Sequence, residues 1–407
     1  MAAALDGIRV LDLSRVLAGP WASQALADLG AEVIKIERPG AGDDTRSWGP
    51  PFLKDEDGRE TTDAAYFLAA NRGKKSLTVD ITKAEGQDLV RALAARSHVV
   101  IENFKLGGLA KYGLDWPSLR AVNPALVYCS ITGFGQTGPY APRAGYDAMI
   151  QAMSGLMSVT GEPDGVAGGG PMKVGVAVTD ILTGLYAAFG ILAALRHAEA
   201  TGEGQHIDLA LMDTAVACMA NQAANALVGE RVPGRLGTAH PNIVPYQAFA
   251  TQDGHLMLAV GNDGQFARLC AIGQRPDLPL DPRFARNRDR VAHRAALLAE
   301  IIPMMASRST DAWIAALESA GVPCGPINTL DRVFADPQVI ARGLRVDGTH
   351  AEAGTVPMVR NPLLLSATPP THTAGPPTLG QHTDGVLSDV LGLTAEDITT
   401  LRQKAIV

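Results

Sequence analysis

Short apolar runs alternate with amphipathic segments from the start of the chain, and this alternation constrains the fold more than any other feature. Ile8–Leu13 and Glu32–Glu37 have the composition of buried strands, and Ala22–Leu29 between them has helical periodicity. A strand, a helix and a second strand in this order build parallel sheets. The pattern continues with predicted strands at Ser76–Asp80, Val99–Glu102 and Leu126–Thr132, and helices at Ala84–Ala95 and Leu114–Ala121. The sequence therefore predicts a parallel α/β domain.

The pattern changes in the second half of the chain. Gln247–Val260 alternates like a hairpin around Asp253-Gly254, and helical patterns follow it, which predicts a smaller α+β unit. A length of 407 residues also exceeds what one compact core holds.

Composition narrows the class of partner. A net charge of −7 argues against a general nucleic-acid or membrane-surface binder. The four cysteines form no C-x-x-C pair, which favours a reducing compartment over a disulfide framework or a zinc site. The apolar run Ile181–Leu195 is shorter than the roughly 18 residues of a membrane span, and the first residues lack a signal-peptide pattern. We expect a cytoplasmic protein that binds small molecules or another subunit, with no nucleic acid and no membrane as partner.

One carboxylate, Asp180, interrupts the apolar stretch Lys173–Leu195. Residues 174–178 alternate like an extended segment and Ile181–Leu195 resembles a buried helix, which places Asp180 at the helix start. Free main-chain N–H groups and the helix dipole would keep its carboxylate ionised, as a nucleophile requires. The alternative is an ordinary N-cap. The segment alone leaves both interpretations open.

Nucleotide-binding motifs are weak. Gly133–Gly138 matches G-x-G-x-x-G, but Pro139 and Pro142 argue against a helix at this point, and the chain has neither a P-loop nor a G-x-S-x-G elbow. Basic residues nevertheless recur beside the turns that follow the predicted strands: Arg15, Arg38, Arg72–Lys75, Asn103–Lys105 and Lys111. Such loops gather at one edge of a parallel sheet, so they either converge on a polyphosphate or are separate solvated charges.

Three further polar segments each allow a functional and a purely structural interpretation. His206 and Asp208 alternate on a predicted strand, but no third ligand follows at a useful spacing, so we expect no metal site. His240 lies in a polar loop, where it binds a substrate carboxylate or holds the loop. Gly261–Gln265 either bends the chain or offers N–H groups to an oxyanion.

Seven short motifs occur in a fixed order along the chain. They are R-V-L-A-G-P (15–20), G-A-E-V-I-K-I-E-R-P-G (30–40), N-R-G-K-K-S (71–76), E-N-F (102–104), S-I-T-G-F-G (130–135), T-G-E-G-Q (201–205) and L-G-Q-H-T (379–383). Together they resemble the class III CoA-transferases, the formyl-CoA-transferase-like family. The resemblance covers nearly the whole chain.

Longer segments resemble one subgroup of this family, the succinate–hydroxymethylglutarate CoA-transferases. They are R-P-G-A-G-D-D-T-R-S-W-G-P-P-F (38–52), C-S-I-T-G-F-G-Q-T-G-P (129–139), R-A-G-Y-D-A (143–148), G-T-A-H-P-N-I-V-P-Y-Q-A-F (237–249) and G-V-P-C-G-P-I-N (321–328). The resemblance implies transfer of CoA from succinyl-CoA to a dicarboxylate such as glutarate or hydroxymethylglutarate. CoA thioesters are then substrates, and neither a prosthetic group nor a metal is required.

The resemblance places the family's nucleophilic aspartate at Asp180. It implies that the carboxylate forms first a mixed anhydride and then an aspartyl-CoA thioester. The α-methylacyl-CoA racemases share the fold, but their second base, a histidine, falls at Tyr146, and a phenol is a poor base near neutral pH. A racemase is therefore the alternative enzyme, and a non-catalytic CoA-binding protein on the same fold is the alternative from another class.

The resemblance also implies binding residues. Those that match family positions for CoA are Val16, Leu17, Arg38, Lys74, Asn103, Phe104 and Lys111. The family often has an arginine where Lys111 stands, and R-P-G where the chain has Lys105–Gly107, so a bidentate phosphate contact is weakened there. Residues predicted for the substrate carboxylate or its loop are Arg46, His240, Tyr146, Gly261 and Gly264. Arg46 could equally pair with Asp43 or Asp44 as part of the structure.

The family's fold is an interlocked homodimer. On this resemblance, residues 1–200 form the first part of a large Rossmann-like α/β domain, residues 201–329 form a linker and a small α+β domain, and residues 330–407 return to the large domain. The parallel-sheet domain is thereby built from both chain ends. The sequence does not select among related dicarboxylic acids, because a methyl or hydroxyl group changes pocket shape rather than motifs.

Overall fold

The structure is a computed structural model that describes residues 2–407. It divides into two compact units, one of residues 2–155, 174–223 and 337–407, and one of residues 156–173 and 224–336. The predicted domain boundaries differ from these units in three places, one of which is residues 330–336, predicted for the large domain but part of the second unit. Residues 201–223 belong to the first unit because they contain a strand of its main sheet. Residues 156–173 belong to the second because residues 161 and 162 hydrogen-bond to Gly237 and Arg235.

The described chain forms thirteen strands: β1 (Arg9–Asp12), β2 (Glu32–Glu37), β3 (Phe52–Lys54), β4 (Glu60–Ala64), β5 (Lys74–Thr78), β6 (Val99–Glu102), β7 (Val127–Thr132), β8 (His206–Ala210), β9 (Tyr246–Ala250), β10 (His255–Ala259), β11 (Cys324–Pro326), β12 (Arg345–His350) and β13 (Gly354–Val359).

Its helices are α1 (Ala18–Asp28), α2 (Ala65–Leu68), α3 (Ala84–Ala94), α4 (Trp116–Val122), α5 (Asp147–Met153), α6 (Leu156–Val159), α7 (Val178–Thr201), α8 (Leu211–Ala217), α9 (Ala220–Gly229), α10 (Asp263–Ile272), α11 (Asn287–Ala292), α12 (Arg294–Met305), α13 (Thr310–Ser319), α14 (Leu330–Ala335), α15 (Pro337–Ala341), α16 (Thr383–Leu391) and α17 (Ala395–Gln403). Short 3-10 helices occupy Asp44–Ser47, Ala110–Tyr112 and Leu278–Leu280.

The first unit is built on a six-stranded parallel sheet with the order β5-β2-β1-β6-β7-β8. The predicted parallel α/β fold is confirmed. The direction of winding reverses between β1 and β6, where the register places Asp12 beside both Lys35 and Ile101. Ligands of such sheets bind in the crevice outside the carboxyl ends of the strands at this reversal.

Side chains of the central strands alternate between the two faces of the sheet. On one face, Val10, Val99 and Val127 pack with buried residues of α1 and α7, and on the other Leu11 and Val100 pack with those of α3 and α16. Such two-sided burial is typical of parallel strands. It explains why these strands were recognisable as short continuous apolar runs.

Helix α7 is longer than the predicted helix and is apolar enough, by length and composition, to cross a membrane. Its residues Ala187, Ile191 and Ala194 are instead buried against the sheet. Burial in a protein core accounts for the apolar residues on this face of the helix.

The second unit contains an antiparallel sheet of order β11-β10-β9. The predicted hairpin around Asp253-Gly254 is confirmed by the pairing of β9 with β10. Phe266, Leu297 and Trp313 are fully buried in the core of this unit.

The last segment of the chain covers the outer edge of β5, the edge strand of the main sheet. The His382 N–H donates to the Ser76 carbonyl at 2.9 Å, and the Asp80 N–H donates to the Ile406 carbonyl at 2.7 Å. Both chain ends therefore belong to the large unit, while the strands of its main sheet come from residues 9–210. The same unit carries two further hairpins: β12–β13, which lies between Leu330 and the Pro-rich segment 367–377 where the sequence predicts a hairpin, and β3–β4, which the sequence does not predict.

Candidate active site

Asp180 lies in the first turn of α7, which begins at Val178 rather than after it. The expectation of an extended segment through Val178 is therefore wrong, because the chain bends at residues 175–176 and the Val178 N–H donates to the Val176 carbonyl at 2.8 Å. No side chain of the residue before the helix caps it, and Asp180 itself is the third helical residue, so the N-cap interpretation of Asp180 is also wrong. Its carboxylate is left available for another role.

The carboxylate of Asp147 caps this helix instead. Its Oδ1 accepts the Thr179 N–H at 2.8 Å, the Thr179 hydroxyl and the Asp180 N–H at 3.4 Å, while its Oδ2 accepts from Gln151 at 2.6 Å. Two of the free N–H groups at the start of α7 are thereby satisfied. Asp147 is the first residue of α5, so the start of α5 caps the start of α7.

The pKa of Asp180 is raised from 3.8 to about 7, first by burial and then by the negative charge of Asp147. We expected the helix dipole to keep this carboxylate ionised. That expectation is wrong for the protein without substrate, because desolvation penalises the charged form and a second carboxylate adds to the penalty. Near neutral pH, Asp180 is divided between its two protonation states.

Aromatic side chains share this region. Burial raises the pKa of Tyr66, and the charges of Asp180 and Asp147 add to the shift. Trp48 contacts the Tyr66 ring edge-on with 5.2 Å between centroids. Tyr146, directly before Asp147, is 67% exposed. Aromatic surface beside the acid is suited to limiting the access of water.

A cavity of about 220 Å³ lies outside the carboxyl ends of β1, β2, β5 and β6. Its wall combines apolar groups with the cations Arg15 and Arg38 and with carboxylates such as Asp80 and Asp44, the second of which pairs with Arg15 at 3.1 Å. The apolar lining residues are Leu13, Ile36, Val79, Ile81, Phe104 and Tyr112. The Arg15 guanidinium lies over the Phe104 ring, 5.5 Å from its centroid. An apolar slot with cations at its rim is complementary to an adenine ring and its phosphates.

Three of the predicted CoA residues lie at or beside this cavity. Arg38 is exposed at the wall, Phe104 forms part of the apolar lining, and Lys111 is exposed with its ammonium 4.6 Å from the ring centroid of Tyr112, a lining residue. Their placement agrees with the role that the resemblance gives them.

Asn103 holds the chain rather than pointing a free amide at the cavity. Its Oδ1 accepts the Arg15 N–H at 2.9 Å and its Nδ2 donates to the Arg15 carbonyl at 2.7 Å. Val16 follows in a left-handed conformation (φ 70°), and Leu17 is buried before α1. A valine with positive φ is rare, so this loop is held by its surroundings.

Lys74 does not fit the predicted role of a phosphate ligand. It is 3% exposed, and its three donors reach Asn71 Oδ1, the Pro20 carbonyl and Asp12 Oδ2 at 2.8, 3.0 and 3.2 Å. An ammonium group has three donors, so none remains for a ligand. Lys74 lies below the carboxyl ends of the strands, where it is the partner of the buried Asp12.

Arg46 does not fit the predicted role of a carboxylate receptor. Its guanidinium pairs with Glu37 at 2.7 Å and Asp63 at 2.5 Å, and lies 3.7 Å from the centroid of Phe67. The residue is only 4% exposed. The structural interpretation of Arg46 holds, with Glu37 and Asp63 as partners in place of the expected Asp43 or Asp44.

The remaining predicted substrate residues lie in the second unit. His240 Nδ1 accepts the Asn242 N–H at 3.0 Å, and the ring stacks on Tyr246, so this side chain holds its own loop. The Gly261 N–H donates to Gln265 Oε1 at 2.7 Å, and Gly264 lies in the first turn of α10. The Gly261–Gln265 segment therefore forms the start of α10, and the Gly261 N–H already has a hydrogen-bond partner within it.

His206 and Asp208, considered above as a metal pair, instead make hydrogen bonds within the first unit. His206 Nε2 is 2.9 Å from Ser130 Oγ, and the Asp208 carboxylate accepts the Gln136 N–H at 3.1 Å. Within residues 2–407, no group of three or more His, Cys, Asp or Glu side chains is placed to hold a metal ion.

Sequence reasoning missed Asp147 and the buried pair Lys35–Asp43. Asp147 follows Tyr146 in the R-A-G-Y-D-A motif, and an acid at a predicted helix start was the available signal. Lys35, a charge inside the apolar strand β2, was an equally readable signal, because buried lysines need a partner.

Comparisons with known proteins agree on one family. Residues 5–383 match the sequence profile of CoA-transferase family III. The chain is 56% identical over 392 residues to the succinate–glutarate CoA-transferase of Agrobacterium fabrum, which is 95% of each protein. It is 44% identical over 387 residues to the succinyl-CoA:glutarate CoA-transferase of Homo sapiens, covering 95% of this chain and 86% of that protein.

A solved structure is similar over nearly the same length. The crystal structure of a CAIB/BAIF family protein from Brucella suis has a TM-score of 0.84 and 51% identity, covering 96% of this chain and all of the other. Sequence and fold therefore agree along the whole chain.

Proposed function

The chain belongs to CoA-transferase family III, and from this premise we propose that it transfers CoA from succinyl-CoA to a dicarboxylate through Asp180. The observation that carries the proposal is the Asp180 carboxylate, free of any capping role, at a helix start beside a second acid. Relatives named for succinate and glutarate favour glutarate as the acceptor, with hydroxymethylglutarate as a second acid to test.

The first half of the proposed reaction releases succinate. A carboxylate oxygen of Asp180 attacks the thioester carbonyl of succinyl-CoA, the carbon–sulfur bond breaks, and CoA leaves as a thiolate. The product is a mixed anhydride between Asp180 and succinate. The thiolate then attacks the aspartyl carbonyl, which expels succinate and leaves an aspartyl-CoA thioester.

The second half repeats these steps in reverse. A glutarate carboxylate attacks the aspartyl thioester and expels the thiolate, which next attacks the glutaryl carbonyl of the new anhydride. Glutaryl-CoA leaves and the Asp180 carboxylate is restored. Each step conserves an activated acyl bond, so the cycle needs no ATP and no metal. Water must be kept from both intermediates, a role suited to Trp48 and Tyr66.

The cavity at the strand ends is the proposed site for the nucleotide part of CoA. Phe104 and its apolar neighbours would contact the adenine, and Arg15 and Arg38 would bind phosphate oxygens. Val16 and Leu17 continue from the cavity wall to the start of α1.

We also propose a cytoplasmic homodimer. The apolar side chains of Leu185, Phe189 and Leu192 are exposed along α7 at helical spacing, a surface that a second copy would cover. The four cysteines are free thiols, which agrees with a reducing compartment.

The test is to incubate the protein with succinyl-CoA and a panel of dicarboxylates, and to follow new acyl-CoA by mass spectrometry. We expect glutaryl-CoA with the wild type and none with Asp180→Ala. The same CoA donor without acceptor should leave a mass increase of covalent CoA on the wild type alone. Exchange of the α-proton of a 2-methylacyl-CoA without transfer would instead favour the racemase.

A further inference from the structure

The main chain of Ser14–Val16, between β1 and α1, is held by side chains from three other parts of the sheet. The buried Lys35 ammonium donates to the Ser14 carbonyl at 2.9 Å, and Asn103 binds both main-chain groups of Arg15. The Val16 N–H lies 3.3 Å from each carboxylate oxygen of Asp43. Consecutive peptide groups of the loop therefore each have a fixed partner.

Lys35 and Asp43 form one buried unit. Their side chains are fully buried and lie 2.9 Å apart, and Asp43 Oδ1 also accepts the N–H and the hydroxyl of Thr45. Burial opposes ionisation of Asp43, but Lys35 and Thr45 lower its pKa to about 2. The carboxylate is therefore charged at neutral pH.

Val16 needs such a partner. Its φ of 70° lies in the left-handed region, which is strained for a β-branched side chain and persists only where the surroundings hold it. Asp43 is the side chain that accepts its N–H in this conformation. The loop leads into the cavity wall, where Leu13, Arg15 and Asp43 are neighbours.

We propose that Asp43, paired with Lys35, is a positioning residue for the CoA thioester. It fixes the left-handed conformation of Val16 and thereby the shape of the loop on which CoA binds. This inference rests on the proposed function. It assigns Asp43 no contact with the reacting atoms, so its loss should weaken binding of CoA and leave acceptor binding unchanged.

The experiment measures the Kd of CoA by calorimetry, together with KM for succinyl-CoA and for glutarate. Asp43→Asn should weaken CoA binding and raise KM for succinyl-CoA roughly tenfold, the equivalent of the strain that it no longer offsets. KM for glutarate and kcat should stay within about twofold. The control is Asp57→Asn, which removes a charge from an exposed pair with Arg59 and should leave all three values unchanged.

A second background separates positioning from general damage. Glycine adopts positive φ without help, so in Val16→Gly protein the further change Asp43→Asn should alter the Kd of CoA by less than about twofold. An equal Asp43→Asn effect in both backgrounds would overturn the proposal.

A paired variant covers the case in which Asp43→Asn does not fold because Lys35 is left charged and buried. Lys35→Met/Asp43→Asn removes both charges together. If this variant folds and binds CoA as the wild type does, the proposal is wrong. If the wild type itself binds no CoA, the proposed function fails and the inference fails with it, a result distinct from either outcome above.

Discussion

Asp147 accepts the main-chain N–H of Asp180 at 3.4 Å, so one acid secures the helix turn that carries the other. Burial is the largest cause of the raised pKa of Asp180, and the negative charge of Asp147 raises it further. An amide at position 147 would keep an acceptor for the helix start and remove the charge. The two effects of Asp147 can therefore be separated.

Asp147→Asn should shift the pH dependence of transfer. The proposed nucleophile, Asp180, would act as a carboxylate, so kcat/KM for succinyl-CoA should rise with pH through the Asp180 pKa of about 7 in the wild type. Removing the negative charge should lower that pKa, and the acidic limb should move to lower pH by about one unit. The measurement is a pH profile from acidic to alkaline buffer. An unshifted limb would mean that burial alone sets the pKa.

Asp180→Asn should stabilise the protein at alkaline pH. The folded pKa of about 7 exceeds the ordinary value of 3.8, so the folded state resists ionisation, and the cost grows as the pH rises from about 4 to about 7. An amide carries no such cost. We expect about 4 kcal/mol of added unfolding free energy at pH 8, and less than half of that at pH 5. Urea unfolding at both pH values measures it, and an equal gain at both would contradict the explanation.

Arg46→Gln should act on stability. It leaves the buried carboxylates of Glu37 and Asp63 without their cation, which we expect to lower the unfolding free energy by about 3 kcal/mol. Arg59→Gln, at an exposed pair, is the control and should cost almost nothing. If Arg46 bound the acceptor instead, the folded variant would show a raised KM for glutarate with normal stability.

Arg38→Gln should weaken CoA binding in a salt-dependent manner. A guanidinium at the exposed rim of the cavity gains most from phosphate at low ionic strength, so we expect roughly a tenfold rise in Kd there and a smaller one at high salt. Lys54→Gln, an exposed cation on β3, serves as the matched control. Equal effects of the two substitutions would indicate general charge attraction.

Local patterns predicted the sheet well. The strands Glu32–Glu37 and Val99–Glu102 have the predicted bounds, because each is a short cluster of β-branched apolar residues of the kind that parallel strands bury on both faces. Helix α1 starts four residues before its predicted start, because Gly19 and Pro20, which are poor helix formers, lie in its first turn. Proline is tolerated in the first turn of a helix, where its missing N–H has no partner to lose.

Polar pairing was less predictable than the sheet. Arg46 and Glu37 are nine residues apart, while Lys74 and Asp12 are separated by 62 and Asp180 and Asp147 by 33. Which charges meet depends on the register of strands and the approach of helices, neither of which a local pattern specifies. Family resemblance located Asp180 but could not reveal that Lys74 and Arg46 are already bound by acids.

The closing of β5 by the chain's last segment has a consequence for biosynthesis. The main-chain hydrogen-bond partners of Ser76 and Asp80 lie at His382 and Ile406, more than 300 residues later. While the ribosome makes the intervening chain, one edge of the sheet presents unpaired N–H and C=O groups, the kind of edge on which strands from other chains assemble. A stop codon before residue 380 would make that exposure permanent. Nonsense variants near the end of this reading frame should therefore yield insoluble protein, although they would leave Asp180 and the cavity intact in sequence.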